Sequence, residues 1–172
     1  MRKALIPALV LVVALVVVMT ASAGRGHGHG KGRDHNATEL SFKTMVGTVA
    51  PYTGAANAIR GISGAGAPWS IDEANGKLKA NGDLRVMVKG LVVTATDENP
   101  SAMFRAVVSC QSVSNGAATI VNTVSAPFPA TTTGDARFNG HLNLPSPCLA
   151  PIVFVTNGIG DPPGVWFSIT GA

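Results

Sequence analysis

The chain has 172 residues, of which 46% are hydrophobic, 13% charged and 5% aromatic, and its formal net charge is +4. All of that excess lies in the first 35 residues, because from Asn36 onward eight basic and eight acidic residues balance. A neutral remainder with singly scattered Lys and Arg counts against the clustered cations on which nucleic-acid binding rests, and its length suits one domain with a sizeable core.

Residues 1–23 read as a secretory signal peptide. Arg2 and Lys3 precede an uncharged stretch from Ala4 to Met19, and Ala21-Ser22-Ala23 ends it with the small residues of a cleavage site. The expected destination is therefore secreted or extracellular, with membrane contact only through this segment before cleavage. An uncleaved, membrane-anchoring signal is the alternative, since the apolar stretch approaches the roughly 17 to 25 residues of a bilayer-spanning helix.

Residues 24–39 are expected to be a disordered tail. Gly24–His35 (GRGHGHGKGRDH) carries five glycines and three histidines but no apolar side chain, so it cannot bury enough surface to offset chain entropy. His27, His29 and His35 on such a flexible segment are candidate ligands for Cu²⁺, Ni²⁺ or Zn²⁺. Cleavage after Gly24 would leave Arg25-Gly26-His27 as the N-terminus, and a free amine, two amides and a third-position imidazole suit square-planar Cu²⁺ or Ni²⁺. Cleavage after Ala23 removes that arrangement. Asn36-Ala37-Thr38 matches a glycosylation acceptor, which has meaning only in a eukaryotic host.

Residues 40–172 are expected to form a single all-β domain. Short runs rich in Val, Ile, Thr and Phe alternate with Gly, Pro and Asn-Gly breaks, and no uninterrupted dozen residues supports a helix. The predicted strands are 44–50, 58–62, 69–71, 77–80, 83–89, 103–111, 118–125, 135–144, 152–156 and 165–170. In Asp83–Lys89, Leu84, Val86 and Val88 point one way and Asp83, Arg85, Met87 and Lys89 the other, which buries one sheet face and wets its reverse. Gly90 then predicts a bend that carries Leu91–Val93 to another sheet. Asn-Gly pairs begin at Asn75, Asn81, Asn115, Asn139 and Asn157, and they supply turn chemistry, except that Asn139-Gly140 interrupts an alternating run and suggests a bulge. The sum is a two-sheet antiparallel β-sandwich of about eight to ten short strands, with a closed barrel as the alternative.

Cys110 and Cys148 are the only cysteines, and in an exported chain they predict one disulfide. Other motifs carry little chemistry. Gly61–Gly66 misses the G-x-S-x-G elbow at Ala65. Asp97-Glu98-Asn99 offers oxygen ligands but lacks the spaced calcium loop. Lys77, Lys79, Arg85 and Lys89 form the nearest approach to a basic patch and read as a solvated sheet face. His141 is expected to face solvent beside Asn139 and Asn143. It would suggest an enzyme only in a pocket with two carboxylates, whereas an exposed groove of Trp69, Trp166 or Tyr52 would favour ligand binding.

Several segments together resemble a family of small uncharacterised secreted proteins of soil bacteria, chiefly actinobacteria. They are Ile59–Ile62 leading to Gly66–Trp69, Asp83–Leu91 (DLRVMVKGL), Asn99-Pro100 before Phe104–Cys110 (FRAVVSC), Phe128–Ala130 with Gly134–Ala136, Leu144–Val155 around Cys148, and Trp166–Gly171 (WFSITG). The resemblance implies export and paired cysteines and carries over no activity. A second likeness, to chordin-type repeat domains, rests on the G-x-L-x-V-x-V-x-G-L pattern of Gly82–Leu91. The expected function is an exported, non-enzymatic module that binds a ligand of the envelope or the medium. A metal-binding protein acting through its tail and an enzyme of unrecognised type are the alternatives.

Overall fold

Alternating β-branched and charged residues favour extended chain, because a strand sends successive side chains to opposite faces and so separates apolar from polar. The computed structural model describes residues 38–170, which hold twelve strands and no helix. The signal segment and the histidines His27, His29 and His35, with the metal site expected of them, lie outside the described residues. The strands are β1 (Thr38–Phe42), β2 (Val46–Gly47), β3 (Trp69–Ser70), β4 (Glu73–Lys79), β5 (Asp83–Lys89), β6 (Val92–Val93), β7 (Met103–Ser114), β8 (Ala117–Val124), β9 (Phe128–Pro129), β10 (Ala136–His141), β11 (Leu149–Asn157) and β12 (Trp166–Ile169).

Two antiparallel sheets form the sandwich. One runs β1-β4-β5-β10; the other runs β2-β12-β11-β7-β8 with β9 also on β7, and β3 and β6 make a small third sheet. Leu78, Leu84, Val86 and Val88 from the first sheet meet Phe104, Ala106, Val108, Val153, Val155 and Phe167 from the second in one core. Phe104, Ala106, Val108 and Cys110 alternate in the sequence with Met103, Arg105, Val107 and Ser109, and Cys110 accordingly points into that core, bonded to Cys148. At Gly90, whose φ of 62° suits glycine, the chain leaves the four-stranded sheet and enters β6 of the small one.

Several expectations need correction. The first strand starts at Thr38, inside the span assigned to the tail, because its residues pair with β4. The expected strand 44–50 shrinks to two residues, and 58–62 is a tight turn. Ile59 and Ile62 exchange both backbone hydrogen bonds at 3.0 Å, and Arg60 and Gly61 between them have φ of 50° and 79°. That turn lies over the outer face of the six-stranded sheet, where Ile62 packs with Val107, Phe154 and Trp166. β7 is consequently buried on both faces from Ala106 to Cys110.

Arg60 holds this turn in place. Its guanidinium donates to the carbonyls of Ser109 at 2.7 Å and Ala150 at 2.8 Å, where the register of β11 shifts between Leu149 and Ile152. Partial burial lowers its pKa from the ordinary arginine value.

Only some of the Asn-Gly pairs turn the chain. Asn115 and Gly116 have φ of 51° and 77° and join β7 to β8 as a two-residue hairpin of the type their chemistry predicts. Asn75-Gly76 lies instead within β4, paired with Met87 and Val86, and Asn139-Gly140 lies within β10 in unbroken register with Arg85 and Leu84, without the expected bulge. Each of these two glycines sits under a phenylalanine ring: a Cβ on Gly76 would collide with Phe42, and one on Gly140 would come within 2.7 Å of Phe138. The glycines make room for aromatic rings in the core, so their strands run straight through.

Candidate functional site

The outer face of the four-stranded sheet is built by the alternation that buries its inner face. With Leu78, Leu84, Val86 and Val88 inward, β4 presents Lys77 and Lys79 outward, β5 presents Asp83, Arg85, Met87 and Lys89, and β10 presents Arg137, Asn139 and His141. Register places these in rows. Lys77 lies opposite Arg85, which lies opposite Asn139; the next row toward the hairpin end sets Asp83 opposite His141.

Carboxylates neutralise both ends of this face and leave its middle cationic. Glu73 pairs with Lys89 at 2.9 Å, and that contact raises the Lys89 pKa, with Asp135 adding to it. At the other end Asp83 makes four contacts with three residues. Asn81 Nδ2 donates to Oδ2 at 2.9 Å, Asn81 Oδ1 accepts from the Asp83 amide, His141 Nδ1 stands 3.1 Å from Oδ1, and Lys79 Nζ reaches Oδ2 at 3.4 Å. The Asn81 hydrogen bond, then that of His141, holds the Asp83 carboxyl down at about 2. Between these ends, Lys77 and Arg85 form no ion pair among the described residues. They line an open concavity of about 660 Å³ with Lys79, Asp83, Asn139 and His141.

The other candidates from the sequence are placed elsewhere. Lys77, Lys79 and Arg85 do come together, but Lys89 is drawn off by Glu73. His141 is exposed, as expected, and the carboxylate beside its Nδ1 is the single one of Asp83. Trp69 and Trp166 are buried, the first stacked on Phe167 with ring centroids 3.8 Å apart and the second edge-on to Phe154. Tyr52 is exposed. Trp69 and Phe167 reach the wall of a smaller concavity of about 380 Å³ beside Pro100 and Ile159. Asn99 is buried, and its side chain binds the carbonyls of Ser101 and Thr131 rather than facing a cation with Asp97 and Glu98. Sequence reasoning missed the share of Asn139 and Asp83 in the concavity. The alternating charges of β5 were the available signal, but only register shows which neighbours stand beside them.

No family model, curated protein or solved structure matches the chain.

Proposed function

We propose that this protein is an exported, non-enzymatic binding module whose ligand is a polyanion of the cell envelope or the surrounding medium, taken on the outer face of β4, β5 and β10. One observation carries the reading. Lys77 stands directly opposite Arg85 across the strand pair, at the concavity, with no ion-pair partner for either among the described residues. Like charges so placed cost stability, and an anionic ligand relieves that cost while Asn139 adds a neutral hydrogen-bonding group. The open face suits an extended chain of spaced carboxylates or phosphodiesters. Lys77 and Arg85, the two cations without an ion pair among the described residues, fall short of the roughly six to ten phosphate contacts that drive salt-sensitive nucleic-acid binding. Export is supported by the N-terminal segment of the sequence and is compatible with the disulfide.

Calorimetry against polygalacturonate and against poly(glycerol phosphate) separates the two anion types. The wild-type chain is expected to bind one of them, more weakly as salt rises, and Lys77→Glu with Arg85→Glu is expected to reduce affinity by about tenfold or more. Equal affinity of the variant and the wild type would overturn the assignment of this face, as would binding of neither polymer.

A further inference from the structure

We infer that the outer edge of β8 pairs with the same edge of a second copy of this chain, joining two six-stranded sheets into one. The inference starts from the backbone. Ser125 N donates to Ala106 O at 2.9 Å, and the register runs from there through Cys110 opposite Val121 to Ser114 opposite Ala117. Antiparallel partners that exchange hydrogen bonds alternate with partners that do not, so the odd residues of β8 bond to β7. Ala118, Ile120, Asn122 and Val124 therefore turn their amides and carbonyls away from the sheet. Among the described residues no strand pairs with that side.

Edges of this kind ordinarily carry Lys, Pro, a bulge or a covering loop that blocks further pairing. β8 (AATIVNTV) has no charge, no proline and no glycine, and its register with β7 is unbroken over eight pairs. Ile120 is 42% exposed, and Val113, on the adjoining strand, is 53% exposed. Both share the outer face, since Gln111 opposite Ile120 and Val113 opposite Ala118 alternate with the inward Cys110.

The edge itself selects the occupant. Its donors and acceptors, unpaired among the described residues, match the spacing of another extended strand, and without charge it offers no counter-ion to a charged foreign segment. A second copy meets it with no like-charge opposition. An antiparallel two-fold axis at Ile120 sets Ile120 against Ile120 of the second copy and Ala118 against its Asn122. In that register all three pairs are of the hydrogen-bonding kind. It also brings the two exposed isoleucines side by side on one face.

The test is sedimentation velocity of the full chain across a concentration series, combined with residue-resolved hydrogen exchange. A concentration-dependent dimer is expected, with the amides of Ala118, Ile120 and Asn122 slowed in the dimer and fast in the monomer. Ile120→Lys places two like charges at the axis and is expected to weaken dimerisation by about tenfold or more. Ile120→Pro removes one outward amide and none that β7 uses, so it should weaken the dimer while the ladder to β7 stays protected. Ile159→Lys, at another exposed apolar position, should leave the dimer unchanged. The inference fails if the wild type is monomeric throughout, or if those three amides are already slow in the monomer, as they would be were the edge covered by the chain's own terminal residues. It also fails if Ile159→Lys disrupts the dimer as much as Ile120→Lys does.

Discussion

Asp83 is the residue on which the charge balance of the exposed sheet face turns. Its carboxyl, held at about 2 against an ordinary 3.8, favours the folded state in its ionised form. A lowered folded pKa means that this contribution is complete above the ordinary value and is lost as pH falls from 3.8 toward about 2. Acid titration followed by thermal melts should show wild-type stability declining through that window and Asp83→Asn showing a shallower decline. An equal slope in both proteins would mean that the four contacts persist in the unfolded chain. The charge pattern of β5 was legible in the sequence, because alternation alone sends Asp83 and Arg85 outward. That Asp83 would meet His141, 58 residues away, while Arg85 would meet Lys77 rather than an acid, was not legible, since it depends on register between strands. Arg60 is a sharper case: its guanidinium serves carbonyls 49 and 90 residues distant, and nothing local marks it as a clamp.

Among elements, the strongly alternating strands were readable; of the short ones, β3 lies in the expected 69–71 and β6 in the stretch expected to change sheets, whereas β9 was not anticipated. β5 matches its expected bounds, and β7, β8, β10, β11 and β12 overlap theirs closely; period-two burial marks β5 and β10, while the others are runs rich in β-branched and aromatic residues. β2, β3, β6 and β9 have two residues each, and pairing partners rather than internal pattern create them. The Asn-Gly pairs show the same divide. Asn115-Gly116 turns because two strands of matching register leave it, whereas Gly76 is committed to making space for Phe42 from the neighbouring strand. Gly76→Ala should therefore cost about 1 to 3 kcal/mol of stability by overpacking, measured by denaturant unfolding. Truncating the ring in Phe42→Ala should remove part of the added cost of Gly76→Ala, the Arg85 carbonyl 2.6 Å from the new Cβ keeping the rest, and simple additivity of the two changes would disprove the ring contact as a cause.

At the scale of the whole molecule, the disulfide spans 38 residues and ties β7 to the chain entering β11. The closed loop contains all of β8, β9 and β10, so it restrains strands of both sheets in the unfolded chain. Replacing both cysteines with alanine is expected to lower unfolding stability by about 3.9 kcal/mol on the loop-entropy relation. A loss under about 1 kcal/mol, read from urea midpoints at constant slope, would show that the loop is already restricted without the bond. The sandwich also divides its outer surfaces by composition. The four-stranded sheet turns charge toward solvent, while the six-stranded sheet covers part of its outer face with Ile59 and Ile62 and leaves an uncharged edge at β8.

Composition, alternation and turn residues were sufficient by themselves to determine an all-β sandwich, its strongest strands, the inward face of Cys110 and a single pair of cysteines to join. These are local properties, because a strand's burial pattern repeats every two residues and a sequence displays it directly. Only the tertiary structure decided which charges are neighbours, which glycines turn and which yield to a ring, that 58–62 folds back over a sheet, and which strands stand at the sheet edges. Each of those depends on register and strand order, which bring together residues separated by tens of positions and which no single segment encodes.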